Sequence, residues 1–77
     1  MAMGAGLDGK TALQELVASI GKATLEYHVT ESGPDHDKSF EAIAVVGGEA
    51  IATGLGKSKR EAEQAAARSA FAILAPQ

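Results

Sequence analysis

Gly54-Leu55-Gly56-Lys57-Ser58-Lys59-Arg60-Glu61-Ala62-Glu63 is where the chain changes from one hydrophobic period to another. Before it, apolar residues alternate with polar ones. After it, they recur at spacings of three and four. Ser58 followed by Glu61 fits a capping box, in which the serine hydroxyl accepts from an unpaired amide of the first helical turn. A helix is therefore predicted over residues 59–75. Ala62, Ala65, Ala66, Ala70, Ile73 and Leu74 form its apolar stripe, and Pro76 lies beyond its end. Alanine along most of the stripe lets such a helix sit close to whatever it covers. Lys57, Lys59 and Arg60 place three cations at the helix start. Backbone N–H groups there lack helical partners, and the helix dipole favours anions. Cations at this end are unfavourable for the isolated helix, so an anionic partner would relieve a real cost. The turn reads either as a phosphate site or as a solvated basic turn beside Glu61 and Glu63. Gly54-Leu55-Gly56 is no nucleotide-binding loop, because GxGxxG is incomplete; its glycines shape a strand end.

Upstream of this stretch the chain is β-rich. Leu25, Tyr27 and Val29 alternate with Glu26, His28 and Thr30, the pattern of a half-buried strand. Ser32-Gly33-Pro34-Asp35-His36-Asp37-Lys38 is a loop, punctuated by glycine and proline. A second strand covers residues 39–46. Phe40, Ala42, Ala44 and Val46 share one face, and Ile43 and Val45 lie on the other. Gly47-Gly48 is a two-residue hairpin signal, and a third strand over residues 49–55 closes an antiparallel meander. The first element is a helix over residues 8–20. Leu13, Leu16, Val17 and Ile20 form its apolar face, with Asp8 as N-cap and Gly21 as stop. Thr11, Gln14 and Glu15 form an exposed strip near its start. The predicted fold is α+β, ordered α-β-β-β-α. Each helix has one apolar stripe to bury, so both should pack on one face of a three-stranded antiparallel sheet. Residues 1–6 read as a flexible leader or linker remnant, and residues 7–75 as one domain.

Composition narrows the functional classes. A domain of 77 residues has a thin core, burying roughly 60% of its unfolded surface. The chain has no cysteine, which excludes disulfides and cysteine-based zinc sites. In so small a domain this leans towards the cytoplasm. No apolar run reaches the roughly 20 residues of a membrane span, and the N-terminus lacks the pattern of a signal peptide. Seven Lys+Arg against ten Asp+Glu give a net charge of −3. Taken globally, that opposes nucleic-acid binding. The cations are clustered, however, and charges beyond about 8–10 Å are screened at physiological salt. His36 could donate to or accept from a ribose hydroxyl. Asp35-His36-Asp37 could also be read as a metal site, but one loop triplet lacks the ligand number and fixed geometry a metal needs, and a solvated turn is the commoner outcome. No catalytic constellation is present: Ser19, Ser32 and Ser58 have no nucleophile motif around them, and Glu61 and Glu63 diverge on a helix.

From Leu7 to Leu74 the chain resembles the double-stranded RNA-binding domain at the C-terminus of bacterial ribonuclease III. Three blocks carry the resemblance: Lys10-Thr-Ala-Leu-Gln-Glu-Leu16; Glu31-Ser-Gly-Pro-Asp-His-Asp-Lys38 with Phe40; and Gly54-Leu-Gly-Lys-Ser-Lys-Arg-Glu-Ala-Glu-Gln-Ala-Ala-Ala67. Met3-Gly-Ala-Gly-Leu-Asp8 is also similar to the junction in some actinobacterial members. The resemblance implies three RNA contacts. Thr11, Gln14 and Glu15 would meet ribose hydroxyls and base edges in one minor groove. Pro34, Asp35 and His36 would enter the next, and Lys57, Lys59 and Arg60 would meet phosphates across the major groove between them. A-form geometry accounts for the division, because the deep major groove cannot be read while the shallow minor groove displays 2′-hydroxyls. Two features depart from the family pattern. Glu63 stands where many such domains carry lysine, which would lose a phosphate contact and add repulsion. The segment over residues 21–25 lacks the proline often found there.

The resemblance places the nuclease site, a magnesium-binding acid cluster, in a separate N-terminal domain. That domain's helical signature is nowhere in these 77 residues. The expectation is a recognition module, not itself an enzyme, with no metal, cofactor or small-molecule substrate and no membrane partner. Its partner would be double-stranded RNA. Its parent would be a cytoplasmic ribonuclease III that processes structured RNA, ribosomal RNA included, and dimerises through the catalytic domain. A competing reading is a protein-interaction or dimerisation module on the same fold. Lys57, Lys59, Arg60 and His36 speak for RNA, since a module that had abandoned RNA would have little use for them.

Overall fold

The computed structural model describes residues 8–21 and 24–75. Its elements run α1 (Gly9–Ser19), β1 (Leu25–Ser32), β2 (Ser39–Val46), β3 (Glu49–Gly56) and α2 (Lys59–Leu74), with a short 3₁₀ turn at Asp35–Asp37 inside the β1–β2 loop. This is the α-β-β-β-α order the hydrophobic periods predict. The expected leader over residues 1–6, Leu7, residues 22–23 of the turn before β1, and Pro76 lie outside the described residues.

The sheet is an antiparallel meander in the order β1-β2-β3. Leu25 pairs with Val46 at one end of β1–β2 and Ser32 with Ser39 at the other. The β2–β3 turn is Gly47-Gly48, with φ of 61° and 83°. Two consecutive residues at positive φ match the twist of the flanking strands, and glycine takes that conformation without strain. The register shifts between Ala44 and Val45, where Ala44 pairs with Ala52 and Val45 with Ala50. Phe40, Ala42, Ala44 and Val46 face the helices; the last three are buried and Phe40 packs against them. On the opposite face Val45 is also buried and Ile43 half-buried.

Helix α2 lies on the sheet, chiefly against β3 and then β2, while α1 lies mainly against α2. The closest seating is at the strand end that begins the opening stretch. A Cβ on Gly54 would fall inside the backbone at Ala66 and lie 2.6 Å from the Ala62 carbonyl oxygen. One on Gly56 would lie 2.6 Å from Glu61 Cβ and 2.7 Å from Ala62 N. The two glycines thus do more than shape a strand end: they let the helix backbone rest on β3. Ala62, Ala66, Ala67 and Ala70 are fully buried, and Leu13 and Val17 of α1 complete the core. Ile73, expected in the stripe, is 60% exposed. Its helical angle falls within the buried arc, but no described element covers the last turn on that side. Ala65 is half-buried, and Ala67 takes the inward place the sequence stripe omitted.

Gly54→Ala should therefore lower stability by about 3 kcal/mol or more, the upper part of the range for overpacking, because the added methyl meets backbone that cannot rotate away. Chemical denaturation would show this as a lower midpoint or as loss of the cooperative transition. A wild-type midpoint would contradict the close seating.

Candidate nucleic-acid interface

The sequence that opens α2 builds its own turn. Ser58 is the N-cap, with its hydroxyl accepting from the Glu61 amide at 3.1 Å. The Glu61 carboxylate reaches back to accept from the Lys57 amide at 2.9 Å. This closes a box one residue wider than the serine–glutamate pair alone, and it fixes Lys57 against the helix it precedes. Lys59 and Arg60 occupy the first helical turn, both exposed, and form no ion pair among the described residues. Arg60 and Arg68 border a shallow groove of about 400 Å³ with Leu55, Glu61, Gln64 and Ala65.

The β1–β2 loop comes to the same helix end. Pro34, Asp35 and His36 are exposed, the last two on the 3₁₀ turn closed by Asp37 N donating to the Pro34 carbonyl at 2.9 Å. Asp37 accepts from Lys57 Nζ at 3.1 Å, which ties the loop to the basic turn. Among the described residues no three His, Asp or Glu side chains are grouped to hold an ion.

Helix α1 is fixed to the second turn of α2. Asp8 caps α1 by accepting from the Lys10 amide at 2.8 Å, and it also accepts from the Gln64 side-chain amide. These two bonds, Gln64's first, hold its carboxyl below the usual range. Lys10 Nζ pairs with Glu63 at 2.6 Å and sits 5.2 Å from the centre of the Tyr27 ring. Thr11, Gln14 and Glu15 are all exposed on this helix. The loop is thus tied to the residue two before α2 through Lys57 and Asp37, and the start of α1 to the second turn of α2 through Asp8–Gln64 and Lys10–Glu63.

Glu63 behaves differently from its sequence reading. Its side chain is only 21% exposed and is neutralised by Lys10, so it is not a bare repulsive charge facing outward. Lys10, Gln64 and Arg68 lie outside the residues that the sequence nominates for the site. Lys10 and Gln64 lie 54 positions apart, and no local pattern announces a bond over that distance. The signal that existed was the pair of polar residues Glu63-Gln64 inside an otherwise alanine-rich helix.

A family model described as "Double-stranded RNA binding motif" matches residues 10–74, and the chain belongs to that family. It is similar to "Ribonuclease 3" of Streptomyces coelicolor, 61% identical over 69 residues, covering 90% of this chain and 25% of that protein. It is also similar to "Ribonuclease 3" of Nocardia farcinica, 54% identical over 72 residues, 94% of this chain and 30% of that protein. The chain thus spans about a quarter to three tenths of the length of these curated relatives. Among solved structures it is similar to that of both dsRBDs of DRB4 with their linker, with a TM-score of 0.72 and 28% identity, over 95% of this chain and 48% of that one. Among the described residues no helix is long and apolar enough to cross a membrane.

Two measurements check the local chemistry. Ser58→Ala should cost about 0.5–2 kcal/mol, the value of a lost N-cap, read as a lower melting temperature; an unchanged one would show the cap to be idle. Tyr27 supplies the second. Its hydroxyl is buried without a hydrogen bond to a described group, and burial, then the charges of Glu63 and Asp8, push its pKa up to about 12. The folded state therefore holds the phenol proton after the unfolded chain has released it near pH 10. Stability should fall between about pH 10 and 12 as the unfolded state gains from ionisation. Tyr27→Phe should make that decline shallower without lowering the urea midpoint at pH 7. An identical alkaline slope in the variant would contradict the assignment.

Proposed function

We propose that this domain holds double-stranded RNA by shape and serves as the RNA-recognition part of a ribonuclease III. The observation that carries the reading is the pair of free cations, Lys59 and Arg60, on a helix start flanked on one side by the loop and on the other by α1. Phosphates would lie on Lys59 and Arg60, with the unpaired amides of the first turn adding to the attraction. Lys57 would join them on exchanging Asp37 for phosphate. Thr11, Gln14 and Glu15 on one side and Pro34, Asp35 and His36 on the other would enter successive minor grooves, where A-form RNA displays its 2′-hydroxyls. The identity to the two ribonuclease relatives supports the parent assignment. In such a parent, cleavage of structured RNA with magnesium, and dimerisation, would belong to another part of the protein. The cytoplasm is the compartment this reading implies.

Titration with a duplex of about 16 base pairs, long enough to present two successive minor grooves, tests the reading. RNA duplex should bind more tightly than DNA duplex of the same sequence or single-stranded RNA. Lys59→Ala should weaken both duplexes and reduce the salt slope by about 1, since one phosphate contact is lost. His36→Ala should lower RNA affinity with the salt slope nearly unchanged, narrowing the gap to DNA. Equal wild-type affinity for RNA and DNA duplexes would overturn the proposal. Identical signatures for the two variants would remove His36 as a separate reader.

A further inference from the structure

We propose that Lys10 and Glu63 are positioning residues that set α1 against the basic turn, so that discrimination of RNA from DNA depends on an ion pair that need not touch nucleic acid. The inference rests on the RNA-binding reading and deepens it. The apolar anchors of α1 are Leu13 and Val17, in its middle and last turn. Its first turn, which leads into Thr11, Gln14 and Glu15, is held by polar contacts instead. Gly9 is buried there, and a Cβ in its place would come within 3.0 Å of the Arg68 Cγ and Gln64 Oε1. Asp8 is bonded to Gln64, and Lys10 to Glu63 with its ammonium near the Tyr27 ring.

All the α2 partners in this set lie on the rigid helix that carries Lys59 and Arg60. Glu63 follows Lys59 by four residues and Arg60 by three, so it sits one turn below both on the same side. A shift of α1 relative to Glu63 is therefore a shift of the α1 strip relative to the free cations. The pair is half-buried, with side-chain exposures of 39% and 21%, and so is less screened than a surface pair. A reader that touches a minor groove with one helix and phosphates with the start of another needs a fixed offset between them. Phosphate contacts are blind to the sugar, whereas the minor groove separates A-form from B-form. Loosening the offset should cost the sugar-dependent part of binding and leave the phosphate part.

The test is affinity for RNA and DNA duplexes of one sequence at two salt concentrations, with Glu63→Gln, Lys10→Met and the charge swap Lys10→Glu/Glu63→Lys. Glu63→Gln removes a negative charge and keeps the shape. A carboxylate that merely repelled phosphate would, on removal, raise affinity for both duplexes. The proposal expects the reverse: RNA affinity lower by on the order of fivefold, the size of coupling between contacting residues, with DNA affinity and salt slope unchanged. Lys10→Met should give the same signature, and the swap should restore most of the RNA-to-DNA ratio. Higher affinity for both duplexes in Glu63→Gln, or a reduced salt slope in Lys10→Met, would overturn the proposal by making these residues direct electrostatic partners of the nucleic acid. Should a single variant lose its cooperative melt, the swap alone decides: a restored ratio supports the pairing and an unrestored one refutes it. Wild-type indifference to RNA against DNA would instead mark failure of the underlying reading.

Discussion

The close approach of α2 to β3 is the contact on which the rest of the arrangement hangs. It is possible only because Gly54 and Gly56 carry no Cβ and because Ala62 and Ala66 face them. Dispersion and burial favour such a contact when backbones come near enough for small side chains to fill the gap. The seating then fixes where α2 begins. Its N-terminus emerges at the end of β3 beside the β1–β2 loop, and Lys57 and Asp37 join across that boundary. Helix α1 reaches the core mainly through α2, so its placement too is inherited from the glycine–alanine contact.

The charge distribution follows the same logic. A net charge of −3 is a poor guide here because several of the acids are committed to the fold's own bonds. Asp8 caps α1, Glu61 closes the turn before α2, Glu63 neutralises Lys10, Asp37 meets Lys57, and Glu31 meets Lys38 at 3.5 Å. Lys59 and Arg60 are left without such partners among the described residues. Screening limits the reach of the remaining acids to about a Debye length. What a phosphate would meet is the local arrangement, with the whole-chain total entering mainly through long-range steering.

The fold was legible in the sequence wherever a feature acts over a few residues. Asp8, Ser58 and Gly47-Gly48 announced a cap, a capping box and a hairpin, and each is a bond or dihedral set within four positions. The alternation of Leu25, Tyr27 and Val29 is a property of one strand. What could not be read was whatever depends on two distant segments meeting. Ile73 has the right helical angle for burial, but no described element covers it. Gly54 and Gly56 read as shaping a strand end, with no local sign that a helix lies above them. Glu63 looked like a lost phosphate contact because Lys10, 53 positions away, is invisible to any local pattern. For the same reason the sequence could nominate Thr11, His36 and Lys59 separately without showing that their neighbours Lys10 and Asp37 are bonded to Glu63 and Lys57.

The central claim is that the three groups act as one surface built around the first two turns of α2. Amide chemical-shift mapping of the domain on titration with a short RNA duplex tests it most directly. The account predicts that the amides of residues 11–15, 35–36 and 57–60 shift together, along a single saturation curve, while Glu26, His28, Glu41 and Thr53 on the strands stay where they are. Shifts concentrated on those strand residues, or separate saturation of the loop and of α1, would contradict it.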